Sequence, residues 1–223
     1  MAGYSQYSAE NLSGEARVDG TRWNRIPAEK VVAATAASVE KRGIKVVRVA
    51  DRRGALDALG RIIPRGAEVM NGSSTTLIEI GYEDLLQSGK AGWRDRHDLI
   101  TAENDDRKRA ELRRRSVAAD YFVSCANAIA RTGEIVACDA SGSRVGAWPF
   151  AAGHLILVSG INKIVPTLDD ALRRIREYAY PLENARAKRA YGIPSQIGKC
   201  VILAGEKAEG RNTLILIDES LGY

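Results

Sequence analysis

Three polar stretches, each directly after an apolar run, hold the residue types that small-molecule chemistry uses. The first is Asn71-Gly72-Ser73-Ser74-Thr75. A glycine–serine turn between a strand and a helix start gathers unpaired N–H groups in front of the positive end of the helix dipole, which suits a carboxylate or a phosphate. Ser73 or Ser74 can also cap that helix, because a short hydroxyl accepts from the free amides of the first turn. The plain alternative is an ordinary βα turn with a serine cap and no ligand. Glu79, one helical turn further on, faces either the same pocket or solvent. Asp139-Ala-Ser-Gly142-Ser-Arg144 offers a general base or hydroxyl partner, a flexible turn, and a guanidinium able to grip an anion through two parallel bonds. Its alternative is an Asx turn with an exposed arginine. Ser159-Gly-Ile-Asn162-Lys163 sets a lysine four residues beyond a strand, where it would neutralise an anion or stabilise enolate charge, or else simply be solvated at a loop.

Helical and strand-like segments alternate between these stretches. Apolar spacing predicts a helix over residues 27–41, a strand over 44–50 and a second helix stopped by Pro64. Residues 67–70 read as a buried strand leading into the glycine–serine turn. A charged helix spans about 103–118, followed by strands at 121–126 and 134–138, with Asn127–Ala130 between them as a turn or short helix. His154–Ser159 is the most strand-like run. Thr167 caps a helix that Pro181 interrupts, and Lys199–Ala204 and Thr213–Asp218 are spaced like an antiparallel pair. The expected fold is therefore α/β: a single wound, mostly parallel sheet with helices on both faces and a C-terminal antiparallel strand pair. In such sheets ligands collect beyond the carboxyl ends of the strands, so the loops 71–75, 126–128, 139–144 and 159–163 should meet. Residues 1–20, rich in Ser, Gly, Tyr and charge without period, read as a flexible N-terminal arm before a domain over 21–223.

Composition narrows the function. The chain has 223 residues, 45% of them hydrophobic, and a net charge of +5, which favours anionic small molecules slightly and nucleic acid weakly. The basic run Arg107 to Arg115 is interrupted by acidic residues and lacks interleaved aromatics, so it reads as a solvated helix face. No stretch is long and apolar enough for a membrane span, and no leader pattern opens the chain, so a cytoplasmic protein is expected. Three scattered cysteines, Cys125, Cys138 and Cys200, form no C-x-x-C pair, and only two histidines are present. No metal site is expected, and Cys125 and Cys138 read as small core residues. No flavin or nicotinamide fingerprint is present, so no cofactor is expected.

The motifs Asn71-Gly-Ser-Ser-Thr-Thr-Leu-Ile-Glu-Ile-Gly81, Cys125-Ala-Asn-Ala-Ile-Ala130, Asp139-x-Ser-Gly-x-Arg144 and Val158-Ser-Gly-Ile-Asn-Lys-Ile-Val165, in that order, together with the closing Leu221-Gly-Tyr223, resemble the LUD-domain family, the lactate-utilisation protein C group. The resemblance implies a fold like that of ribose-5-phosphate isomerase, glucosamine-phosphate deaminase and the coenzyme A transferases, where a Gly-Ser/Thr loop cradles phosphate or carboxylate. It also implies work in oxidising L-lactate to pyruvate beside iron–sulfur protein subunits. One departure is plain: many relatives carry a cysteine cluster before the last strands, where this chain has Ile193-Pro-Ser-Gln-Ile-Gly-Lys-Cys200 with one cysteine.

The expectation is thus a small-anion-binding, non-redox component. Backbone amides of Gly72 to Thr75 would take the anion, Arg144 and Lys163 would clamp it, and Asp139 would act as base. Asn71, Glu79, Asn127, Gly142 and Asn162 would complete the pocket, with Asn127 and Asn162 orienting the substrate. An oligomer is compatible with all of this. The alternative is an autonomous sugar-phosphate isomerase or acyl/CoA-transferase-like enzyme, and the third class is a nucleic-acid-binding regulator using Arg107 to Arg115.

Overall fold

The computed structural model describes residues 7–223. Two short helices, α1 (Ala9–Ala16) and α2 (Gly20–Trp23), precede α3 (Glu29–Glu40), β1 (Lys45–Val49), α4 (Arg52–Ile62) and β2 (Glu68–Asn71). Next come α5 (Thr75–Glu79), α6 (Tyr82–Gln87), β3 (Arg94–Asp95), α7 (Arg96–Ala102), α8 (Asp106–Ser116), β4 (Tyr121–Cys125), β5 (Ala128–Ala130) and β6 (Ile135–Asp139). The chain closes with β7 (His154–Gly160), β8 (Ile164–Val165), α9 (Leu168–Arg174), α10 (Tyr180–Tyr191), β9 (Lys199–Leu203) and β10 (Asn212–Ile217).

Six strands form a parallel sheet in the order β1-β10-β7-β4-β2-β3. Apolar clusters cover both of its faces, one built on Phe122, Leu155, Leu157, Leu214 and Trp148, the other on Leu59, Leu77, Val123, Ile156 and Ile215. The α/β class and the parallel sheet with flanking helices agree with the sequence reading. Two details differ. The sheet is not single: β8-β5-β6-β9 makes a second, mixed sheet beside the first. The last two strands are also not a pair, since β9 runs antiparallel to β6 while β10 lies between β1 and β7. The physical reason is in their side chains. Every residue of β10 is buried, as a central parallel strand covered on two faces requires. In β9 only Leu203 is buried, which suits a sheet edge. Residues 128–130, expected as a turn or short helix, form β5 instead, because three buried apolar residues, Ala128, Ile129 and Ala130, fit between β6 and β8.

The described part of the expected arm is folded. Ser8 caps α1 by accepting from Asn11 N–H, and Asp19 caps α2. Leu12 and Trp23 are buried in a third cluster with Tyr178, Leu182 and Ala185 of the C-terminal helical layer, and Glu15 pairs with Arg189 of α10. Residues 1–6 of that expectation lie outside the described residues. Pro181 does not break the helix. A π-helical turn over residues 175–179 joins α9 to α10, and the proline falls in the first turn of α10, where its missing N–H is tolerated. Among the described residues no helix is long and apolar enough to cross a membrane.

Candidate anion-binding cavity

A cavity of about 260 Å³ opens beyond the carboxyl ends of β2 and β4, between the parallel sheet and the second sheet. The turn Gly72–Thr75 forms one wall, with Cys125 and Asn127 beside it, and the loop after β6 forms the opposite wall through Cys138, Asp139, Ser143 and Arg144. Tyr180, Glu183 and Arg186 of α10, together with Tyr223, close the remaining side. Three of the four loops expected to converge therefore line one cavity. The fourth carries Lys163 to a place just beneath it.

The turn is held as its sequence dictates. Ser74 caps α5 by accepting from Leu77 N–H at 3.2 Å. Among the described residues the N–H groups of Ser73, Ser74 and Thr75 have no acceptor, so they remain available on the cavity side. Gly72 is required by contact rather than by φ: a Cβ there would lie 2.5 Å from Cγ and Cδ of Arg144. Asn71 lies behind the turn, its Nδ2 donating to Gly72 O at 3.4 Å and its buried Oδ1 without a partner.

Several expected roles change once the partners are known. Asp139 accepts from three backbone N–H groups, those of Gly142, Arg144 and Val145, the last two at 3.0 Å each. It is a loop staple at the cavity wall, and three of its roughly four lone-pair sites are already engaged, which leaves a poor base. Arg144 is buried against the cavity, but its fork is spent on Cys125 O at 2.7 Å, Asn127 Oδ1 at 3.0 Å and Cys138 O at 2.5 Å. It supplies charge rather than a free bidentate grip. Asn127 lines the cavity, yet its Oδ1 is held by Cys138 N–H and Arg144. Gly142 turns the Asp139 loop and faces a separate depression beside Arg113 and Arg114.

Lys163, Glu79 and Asn162 do not line the cavity. Lys163 is fully buried, and its Nζ donates to Thr76 Oγ1 at 2.8 Å and Ala126 O at 3.1 Å. Burial lowers its pKa to about 8, with the nearby Arg174 and Arg144 adding to the effect and Cys125 and Glu79 opposing it. Glu79 accepts from Gly222 N–H at 2.7 Å, and burial pushes its carboxyl above the usual range. Asn162 fixes the same C-terminal tail by accepting from Leu221 N–H at 3.1 Å and donates to Asn24 Oδ1 at 2.6 Å. These two residues, together with Gly222 pressed against Thr75 and Thr76, hold Tyr223 at the cavity.

The decisive feature is the charge around the floor. Arg144 lines it, Lys163 and Arg174 are buried behind it, and among the described residues none of the three makes an ion pair. Arg174 donates to Trp23 O at 3.0 Å and to Asn127 O, its Nη2 has no partner, and burial pulls its pKa down to about 10. Sequence reading did not single out Arg174. The signal that places it inward is spacing: it falls three residues after buried Ala171 and four before buried Tyr178. Cys125 was also read as plain core. It lines the cavity, and its sulfur lies 3.7 Å from Arg144 Nη1. Burial pushes its thiol up, but Lys163, Arg144 and the hydroxyls of Ser74 and Thr76 outweigh that and leave it below the ordinary thiol value. Cys138 goes the other way, raised to about 12 by burial with neighbouring Cys200 adding to the effect. Among the described residues no group of three or more His, Cys, Asp or Glu is placed to hold a metal ion.

The fold is an α/β domain with a cavity beyond the carboxyl ends of its parallel strands, and comparison with known proteins gives its family. The model of the LUD domain matches residues 32–217, and the chain belongs to that family. A solved structure similar to it is the crystal structure of a DUF162 family protein from Deinococcus radiodurans, at 12% identity with a TM-score of 0.49, covering 86% of this chain and 98% of that one. No curated protein matches the chain.

Proposed function

We propose that the cavity binds a small 2-hydroxy or 2-oxo carboxylate, and that the protein serves as the non-redox component of L-lactate oxidation to pyruvate, beside iron–sulfur partner subunits. The observation that carries the anion part is the excess of positive charge at and behind the cavity wall: three buried cations, Arg144, Lys163 and Arg174, against the half-buried carboxylate of Glu79 that acts on Lys163. Buried cations without counter-ions are costly, and an anion that neutralises them recovers Coulomb energy in a medium of low effective dielectric. The size of the cavity, about 260 Å³, fits a three- or four-carbon acid better than a nucleotide. Membership of the LUD family supports the lactate part, and the absence of a flavin or nicotinamide fingerprint in the sequence supports the need for a partner to take the electrons.

A thermal-shift panel of L-lactate, pyruvate, ribose 5-phosphate and chloride tests the reading. A ligand of the folded state stabilises it by about 2.7 kcal/mol at a hundredfold excess over Kd. Lactate or pyruvate should raise the midpoint well beyond chloride at equal ionic strength. A response to ribose 5-phosphate alone would favour the sugar-phosphate reading, and a flat panel would remove the anion site.

A further inference from the structure

We propose that Cys138 and Cys200 form a redox-active dithiol site, closing to a disulfide across β6 and β9 when the chain meets a small-molecule disulfide. The inference stands apart from the anion reading, and its failure leaves that reading untouched. The two strands run antiparallel with Cys138 directly opposite Cys200. Residues so placed project from the same face of their sheet. The kind of pair they make follows from where the backbone of Cys138 points. Its N–H donates to Asn127 Oδ1 at 3.0 Å, and its carbonyl accepts from Arg144 Nη2 at 2.5 Å. Both bonds lie on the β5 side, where Asn127 N–H also donates to Val136 O at 2.9 Å. The next carbonyl, that of Asp139, points the other way and accepts from Gly198 N–H at 3.0 Å, just ahead of β9. Cys138 and Cys200 are therefore a non-hydrogen-bonded pair, the kind whose Cα atoms lie about 4.5 Å apart with their side chains in closest approach. Disulfides span Cα separations of about 4.4–6.8 Å, so the bridge needs side-chain rotation and little backbone movement.

The two thiols differ in access. Cys200 is exposed on an edge strand, while Cys138 is half-buried on the cavity wall. Burial pushes the Cys138 thiol up to about 12, so it offers little thiolate to a reagent in solution and reacts through its neighbour. The Cys200 thiolate attacks one sulfur of the small disulfide, forming a mixed disulfide and releasing one thiolate. Cys138 gives its proton to water and its sulfur attacks that of Cys200. The Cys138–Cys200 bond forms, and the second small thiolate leaves. Two protein thiols are oxidised, and one disulfide is reduced to two thiols that take up the two protons. The bridge fastens β9 to β6, and with it Ser195, Gln196 and Ile197, which lead into β9 and line the cavity.

The experiment incubates the folded chain in mixtures of oxidised and reduced glutathione, quenches in acid, blocks free thiols and reads unreduced peptides by mass spectrometry. Wild type should yield a peptide pair joined through Cys138 and Cys200, lost again in excess reduced glutathione. Because the second thiol is held beside the first, glutathione carried on Cys200 should be at least ~10-fold scarcer than in Cys138→Ser. In Cys200→Ser, Cys138 should lose its route and stay free. Absence of the joined pair in wild type overturns the proposal without reference to either variant, whether Cys200 stays free, keeps its glutathione or links two chains. Equal yields of pairs through Cys125 would overturn it too, as they would report scrambling rather than a built site.

Discussion

Asp139 has two oxygens and three backbone donors aimed at them, and that count decides what it can do. Asparagine in its place keeps one acceptor and turns an amide N–H toward donors. Asp139→Asn should therefore cost about 1–3 kcal/mol of stability by leaving loop amides unsatisfied, measured by urea denaturation. A variant of unchanged stability with abolished turnover would instead restore the catalytic-base role. This residue also marks where sequence reading stops. An aspartate three residues before a glycine, at a strand end, was readable as either a base or an Asx turn, and only the positions of the Arg144 and Val145 amides separate the two. Arg144 and Lys163 were readable as cations near the cavity because they follow strands. That Arg144 spends its fork on carbonyls, and that Lys163 points at Thr76, depends on contacts between segments far apart in the chain. Cys125 and Arg174 were passed over because an apolar strand and a charged helix face hid them.

At the scale of elements, the strands that feed the cavity were the readable ones. Runs such as Tyr121–Cys125 and His154–Gly160 are buried from their second residue on, as covered parallel strands must be. Pairing was less readable, because alternation says which face is wet and not which strand is adjacent. The short spacing of β9 and β10 pointed to a hairpin, yet the covered β10 joins β1 and β7. The N-terminal helix α1 is weakly patterned, with Leu12 as its one buried residue, so composition alone gave an arm. Leu12 nevertheless packs into the cluster under α10, whose other side walls the cavity. Leu12→Ala should lose about 2–5 kcal/mol in thermal or urea unfolding, the range for a buried leucine truncation. A loss below about 0.5 kcal/mol, the size of an ordinary surface change, would show that α1 is an appendage to the domain.

For the whole molecule, the buried cations tie stability to pH. Lys163 keeps its proton below about pH 8 in the folded chain, against an ordinary value of 10.5 when unfolded. Between those values the unfolded chain binds the proton that the folded chain has released, so stability rises with pH across that window and gains nothing from Lys163 below it. Cys125, held below its usual 9.0, works in the same direction. Wild type should gain about 1–3 kcal/mol relative to Lys163→Met from pH 7.5 to pH 10, read from urea midpoints. A constant difference across that range would mean that Lys163 is solvated.

Anion binding in the cavity, backed by the buried cations Arg144, Lys163 and Arg174, is best tested by a crystal structure of the protein with oxamate, an isostere of pyruvate. The predicted result is oxamate in the cavity, with its carboxylate between the Gly72–Thr75 turn and Arg144. Oxamate elsewhere on the surface at saturating concentration, with only water in the cavity, would contradict it.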